Sequence, residues 1–432
     1  MKKENWKRQT FWSLPVYTGD VSGVCSALYE LGGMVIMHDP SGCNSTYNTH
    51  DEIRWMDMES LIFLSGLRDI DAITGNDRKL IDDAIEAAEQ FHPKFIAIAN
   101  SPVPWLIGTD FQSICRTIRK ETGIPAFHVE TNAMHDYTYG AGHAFEQLAR
   151  MLFEENGAER PTSGDGRIRV NVLGATPLDF TVRSQMRTLR EILAEGGFET
   201  VSVWGIGDDL ETLREAPRAD VNLVISSAGL LAAEYLKSRF GIPYAAGIPA
   251  GAFREPLLRC LREAAQTGQD RVPYLEVLAQ ARTAPSYASQ SHASQLHASQ
   301  PRTAAKEVSD RVPPAEGITG SPLSSVEMTG KGRHCFAGEP VTMGSLAADC
   351  ALREGSACDI VCLTETAEGL LSDADARPQG EAQIREVLSA YGEVTADPML
   401  RHACSADAVF HELPHFAYSG RLYLNRIPAL IR

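Results

Sequence analysis

Short apolar runs, bounded by polar turn residues, alternate along this chain with longer segments whose apolar positions recur every three to four residues. The short runs have the length of buried strands, and the longer periodic segments that of amphipathic helices. In residues 1–158, strands are predicted at Met34–Met37, Phe95–Ala99 and Ala126–Val129. Helices are predicted at about 78–91, from Thr109 as an N-cap onward, and over 139–155. Residues 167–275 repeat the pattern, with strands near 170–173, 200–203, 222–225 and 243–245 and helices at 182–195 and 229–239. A third block, 326–432, offers strands at 359–363 and 408–410 and a helix over 379–390. Strands alternating with helices imply parallel sheets covered on both faces. The predicted fold class is α/β: three doubly wound parallel-sheet domains. Such sheets bind ligands at the carboxyl ends of their strands, so three facing inward would enclose a central cleft.

Residues 281–325 break this pattern. The unit Ala-Ser-Gln recurs between Tyr287 and Gln300 with no apolar periodicity, and such a stretch buries too little surface to offset its ordering entropy. It is read as a disordered insertion. Its histidines, His292 and His297, could take up metal adventitiously, but a solvated loop explains them more simply.

Composition narrows the function. The chain has 432 residues and a net charge of −16, which argues against a nucleic-acid partner, since binding phosphates needs clustered Lys and Arg. No apolar run is long enough to span a bilayer, and no apolar core follows the basic N-terminus, so a cytoplasmic protein with neither membrane nor nucleic-acid partner is expected. Nine cysteines, an odd number in a long chain without a secretory signal, favour free thiols over disulfides, and no Cys-x-x-Cys pair exists. No predicted strand is followed by Gly-x-Gly-x-x-Gly, and Gly-x-x-x-x-Gly-Lys-Ser/Thr is missing from the sequence. Neither a dinucleotide nor an ATP loop is expected.

The densest chemistry lies between Ser22 and Tyr47. A helix carrying Cys25 leads into the strand Met34–Met37, which ends at His38 and a Pro-Ser-Gly turn with Cys43 at its tip. Thiolates at element ends suit iron–sulfur ligation. For Cys25 the competing reading is a buried core thiol. Polar groups near other strand ends, namely Asn44, Tyr47, His50, Trp105, Glu130 and Tyr137, are candidates for lining a substrate cavity. His38, His135 and Asp136 are candidate proton donors. Helix capping and loop satisfaction are the alternative roles for such residues. Cys115, Cys358, Cys362 and His128 are read as packing.

A helix followed by a strand ending His-x-Pro-x-Gly-Cys resembles the cluster-binding segment of the nitrogenase component-1 superfamily. Further segments resemble that superfamily in order: Gly75 to Leu80, Phe95 to Asp110, Leu189 to Phe198, Gly241 to Gly251 and Leu413 to Gly420. Ser101 or Pro102 stands where members usually carry a third cysteine. The resemblance implies three Rossmann-like domains and a component-1 subunit of a nitrogenase-like reductase. It implies Cys25 and Cys43 as metal ligands, Ser101 as a further cofactor-contacting position, and one 4Fe–4S cluster completed across a subunit interface in a homodimer or a heteromer with a second component-1 subunit. It also implies an ATP-dependent iron-protein-like partner that supplies electrons. Two alternatives stay open: a metallocofactor assembly scaffold, and a cluster-free small-molecule-binding protein of the same fold.

Overall fold

All three blocks build four-stranded, wholly parallel sheets with the same strand order. The computed structural model describes residues 16–40, 47, 52–154, 167–283, 333–365 and 369–432. In the first sheet, β1 (Met34–His38), β2 (Leu61–Leu64), β3 (Ile96–Asn100) and β4 (Ala126–Val129) run in the order β2-β1-β3-β4. The second comprises β5 (Ile168–Leu173), β6 (Phe198–Val203), β7 (Val221–Val224) and β8 (Tyr244–Ala246), ordered β6-β5-β7-β8. The third comprises β9 (His334–Gly338), β10 (Cys358–Cys362), β11 (Glu393–Ala396) and β12 (Val409–Glu412), ordered β10-β9-β11-β12. The expected doubly wound class is therefore the observed one. In each sheet the first two connections leave in opposite directions, and the carboxyl ends of the central strands open at that switch point.

Side-chain alternation explains why both faces are covered. Along β1, Val35 and Met37 enter the large core shared with the second sheet, whereas Met34 and Ile36 face the helices Arg78–Phe91 and Phe111–Thr122. Asp110, not Thr109, caps the second of these helices, its side chain accepting from Ser113 N at 3.0 Å. In β9, Cys335 and Ala337 turn to a separate outer core with Val394, Ala396 and Leu388.

Two helices hold the first sheet against the second. Asp20–Leu28 crosses Tyr137–Phe153 so closely that a Cβ on Gly140 would lie 1.9 Å from the Asp20 carbonyl oxygen. A Cβ on Gly23 would lie 2.2 Å from that of Tyr137. Only glycine permits this approach. The expected insertion at 281–325 begins inside the helix Pro273–Thr283, and the rest of it lies outside the described residues. No described helix is long and apolar enough to cross a membrane.

Candidate functional site

The loop that follows β4 is tied down before it reaches the site. The buried Asp20 carboxylate accepts from Val21 N at 2.7 Å, Asn132 N at 2.9 Å and Ala133 N at 3.0 Å. Desolvation raises its pKa, partly opposed by those N–H donors. The backbone adds Asp20 N to His135 O at 3.1 Å and Tyr137 N to Thr18 O at 3.1 Å. Residues 132–137 are therefore fixed by the N-terminal segment, which in turn bonds Ala417 O through the amides of Tyr17 and Thr18, each at 3.0 Å.

This loop meets the end of β10 across a cleft of about 770 Å³. Thr18, His135, Asp136, Cys362, Glu365 and Arg377 are among the residues lining it. His135 Nδ1 lies 2.9 Å from a Glu365 oxygen, and its ring stacks on Tyr139 at 3.9 Å. Asp136 caps the helix Tyr137–Phe153, accepting from Thr138 N at 2.8 Å, and also accepts from Glu365 N at 2.5 Å. Burial pushes the Asp136 carboxyl up to about 6, and the nearby Glu365 carboxylate adds to the rise.

That shift has a stability consequence. Between the ordinary carboxyl value of 3.8 and about 6, the unfolded chain releases the Asp136 proton while the native chain keeps it. Native stability from this group is thus fully present below that window and falls as pH rises through it. Asp136→Asn, which retains an acceptor for the cap, should flatten the dependence, as read by urea unfolding at stepped pH. An unchanged slope in the variant would place the titration elsewhere.

Behind the cleft lies a sealed polar cluster at the strand ends of all three sheets. Asp179, past β5, accepts from the Tyr137 hydroxyl and from Ser226 Oγ at 2.6 Å. His415, past β12, places Nε2 3.2 Å from Asp179 Oδ1 without good hydrogen-bond alignment. Glu339, past β9, accepts from Ser227 N at 2.8 Å and Thr342 N at 2.8 Å, and burial beside Asp179 raises its pKa. The buried Tyr418 hydroxyl has no hydrogen-bond partner among the described residues. It is in electrostatic reach of Cys362 and Asp136 on the cleft side and of Glu339 and Asp179 in the cluster. Orphaned polar groups at such depth are costly and concentrate at functional sites.

The expected site residues are distributed over several places. His135 and Asp136 line the cleft, and Tyr137 lies in the sealed cluster. His38 is elsewhere, at the end of β1, with Nδ1 2.8 Å from Ser65 Oγ; burial drops its pKa to about 4, so its ring is neutral at neutral pH. Ser101 is buried beside it, its N–H donating to His38 O at 3.2 Å and its hydroxyl without a partner among the described residues. Tyr47 is buried and donates to Glu52 Oε2 at 2.9 Å. Trp105 and Glu130 are exposed and outside the cleft. Cys43, Asn44 and His50 lie outside the described residues.

Cys25 faces the core, fully buried, and both desolvation and the Glu52 carboxylate push its thiol pKa up. A cubane needs convergent thiolates. Among the described residues the expected iron–sulfur segment supplies one sealed thiol, and that does not make a ligand set for such a cluster.

Sequence reasoning missed Glu365, Asp179, Glu339 and Tyr418. Leu413 to Gly420, which contains His415 and Tyr418, stands out in the sequence only as a family-like segment. Glu339 precedes Pro340 and reads locally as a helix cap, which it also is.

Residues 23–291 match the family described as nitrogenase component 1 type oxidoreductase. The chain belongs to this family. Among relatives of this component-1 type protein is a light-independent protochlorophyllide reductase subunit of Chlorobium phaeobacteroides, 29% identical over 255 residues, which cover 58% of this chain and 44% of that protein. The nitrogenase iron-molybdenum cofactor biosynthesis protein NifE of Methanosarcina barkeri is 24% identical over 219 residues, covering 48% and 46%. The matches thus span under half the length of these relatives. A solved structure described as nitrogenase Cp1 at pH 6.5 superimposes with a TM-score of 0.62 over 99% of this chain and 92% of that one, at 13% identity. At that identity the likeness establishes the fold.

Proposed function

We propose that this component-1 type chain is the substrate-binding subunit of a nitrogenase-like reductase, receiving electrons from a separate ATP-dependent iron-protein-like partner. The observation that carries this reading is the open cleft backed by a polar cluster built from strand ends of all three sheets. Reduction driven by single electrons needs protons delivered in step at the substrate. His135, braced by Glu365, and Asp136, with its raised pKa, are the donors assigned to the cleft. Tyr418, within electrostatic reach of both Asp136 and Glu339, is assigned to resupply them from Glu339, whose burial raises its pKa. The sequence has no phosphate-binding loop, so ATP hydrolysis falls to the partner.

The chain's part in an interface 4Fe–4S cluster narrows to Cys43, because Cys25 is sealed in the core, so the other thiolates would have to come from a second component-1 subunit of a heteromer, a homodimer offering only two from this segment. No step is routed through that cluster. The alternative of an assembly scaffold draws support from the NifE relative.

The test uses anaerobically purified protein with a reduced iron-protein partner and ATP, and protochlorophyllide, named by the first relative, heads the substrate panel. Substrate loss should require both partner and ATP. His135→Ala and Tyr418→Phe should each lower kcat by tenfold or more with smaller changes in KM. Cys43→Ala should remove bound iron, whereas Cys25→Ala should keep it. Full turnover by His135→Ala would sink the assignment of the cleft. Transfer of a bound cluster to an acceptor without turnover would favour the scaffold. Iron-free protein after reconstitution would leave the small-molecule-binding alternative.

A further inference from the structure

The amino-terminal edge of the third sheet carries a second cluster of soft donors, at the opposite ends of the strands from the cleft. Cys358, His334 and Glu393 begin β10, β9 and β11 and are register partners, so their side chains share one face. Cys350, on the helix Pro340–Glu354, reaches that face, its Sγ 3.9 Å from His334 Nδ1. One donor atom from each of His334, Cys350 and Cys358 lies within 4.8 Å of the other two. Glu393 Oε1 lies 3.7 Å from the same His334 Nδ1. We propose that Cys350, Cys358 and His334, with Glu393 as fourth ligand, form a structural zinc site that ties the amino edge of the third sheet together.

Three features separate this cluster from ordinary packing. Zinc bond lengths of about 2.0–2.3 Å put tetrahedral donors about 3.3–3.8 Å apart, so small side-chain movements would close His334, Cys350 and Cys358 on the metal, and Glu393, which approaches His334 Nδ1 at 3.7 Å, would swing its carboxylate toward the thiols to complete the set. His334 Nε2 lies 2.8 Å from Thr395 Oγ1, a contact that holds the ring with Nδ1 turned to the thiols and Glu393. Metal-bound histidines commonly have their second nitrogen held in this way. The donors also come from four separate elements, so their convergence reflects the tertiary fold rather than one local turn. A set of two thiols, one imidazole and one carboxylate suits zinc over magnesium or calcium, which prefer oxygen. Cys350 and Cys358 are buried, and Glu393 is more open to solvent, its side chain 42% exposed, giving a metal a way in. His411 Nε2 lies 2.7 Å from Glu393 Oε1 and positions that carboxylate.

The full chain, purified under reductant and stripped by chelator, would be titrated with cobalt(II) and then zinc(II). One cobalt per chain should bind with a thiolate-to-cobalt charge-transfer band and the visible bands of tetrahedral cobalt, and zinc should bleach both. Cys350→Ser and Cys358→Ser should each abolish the charge-transfer intensity or cut it by half or more. His334→Ala and Thr395→Val should weaken binding at least tenfold. A variant carrying both His292→Ala and His297→Ala should bind like the wild type. Zinc should raise the wild-type Tm and leave that of the Cys350→Ser, Cys358→Ser double variant unchanged. Wild-type protein without a thiolate band, or a band that persists in the folded double variant, would overturn the site. Because Cys43 is not part of it, Cys43→Ala should keep the cobalt spectrum, so this test and the iron test fail separately.

Discussion

Arg54→Ala should destabilise the native chain by about 3–5 kcal/mol, the range for removing one partner from a buried charge network. The Arg54 side chain is 1% exposed, and it donates to Glu52 Oε1 at 2.7 Å, Glu30 Oε1 at 3.0 Å and Ser26 O at 2.8 Å. Its guanidinium also lies 4.4 Å from the Tyr29 ring centroid. Truncation would strand the buried Glu52 carboxylate without a cation, whereas Glu30 keeps Arg183 at 3.0 Å and Gly207 N at 2.9 Å. The Arg54 hydrogen bonds and charge are what hold Glu52 ionised against its burial. A double-mutant cycle decides whether the stranded Glu52 charge is the cause. Adding Glu52→Gln to Arg54→Ala should recover part of the loss, since a neutral amide costs less to bury than a carboxylate. Chemical denaturation at neutral pH gives both numbers. A single-variant loss under about 1 kcal/mol would mean that water reaches the network. On the proposed ligand role of Cys43 the same network has a functional consequence, because Glu52 also accepts at 2.9 Å from the hydroxyl of Tyr47, four residues beyond Cys43 in the chain. Loosening it should lower iron retention along with stability.

Much of the fold was legible because its strands are short apolar runs between helices with clear periodicity. The strand at 126–129 and the helix at 78–91 coincide with the observed elements, and the second block differs mainly by a residue or two at its ends. The three strands not foreseen have physical reasons to be missed. In β2, Leu61–Leu64 is a run of only four residues, half-buried at the sheet edge. In β9 the sequence His-Cys-Phe-Ala-Gly mixes small residues with a polar start, and in β11 Glu-Val-Thr-Ala alternates polar and apolar positions. The site was legible only where it is local. His135 and Asp136 stand out as polar residues after a strand. Their partner Glu365 is 230 residues from His135, and no periodicity links the two. The Cys350, Cys358 and His334 cluster escaped for a similar reason. Its spacings match no short metal motif, and register between parallel strands is a property of the folded sheet.

Gly140→Ala should be among the most damaging single-methyl additions in the chain, costing about 3 kcal/mol, the upper end for overpacking, or preventing folding. Alanine is normally favoured over glycine inside a helix by about 1 kcal/mol. Here the added methyl would sit 1.9 Å from the Asp20 carbonyl oxygen and 2.5 Å from its carbon, backbone atoms that cannot rotate away. The helix Asp20–Leu28 would have to lift from Tyr137–Phe153. Gly142 is the internal control, two residues along the same helix. A methyl there meets Leu231 Cδ1 at 3.5 Å and Ala228 O at 3.6 Å, ordinary contacts, so Gly142→Ala should be neutral or slightly stabilising. Equal losses in the two variants would show that helix propensity, not the crossing, controls the site. The functional effect should exceed the thermodynamic one. Asp20 holds the amides of Asn132 and Ala133, and Asp20 N bonds His135 O, so separating the helices pulls His135 and Asp136 away from Glu365. In a folded Gly140→Ala chain, the Asp136 carboxyl should therefore titrate below about 6, nearer its ordinary value, because the cleft that buries it has opened.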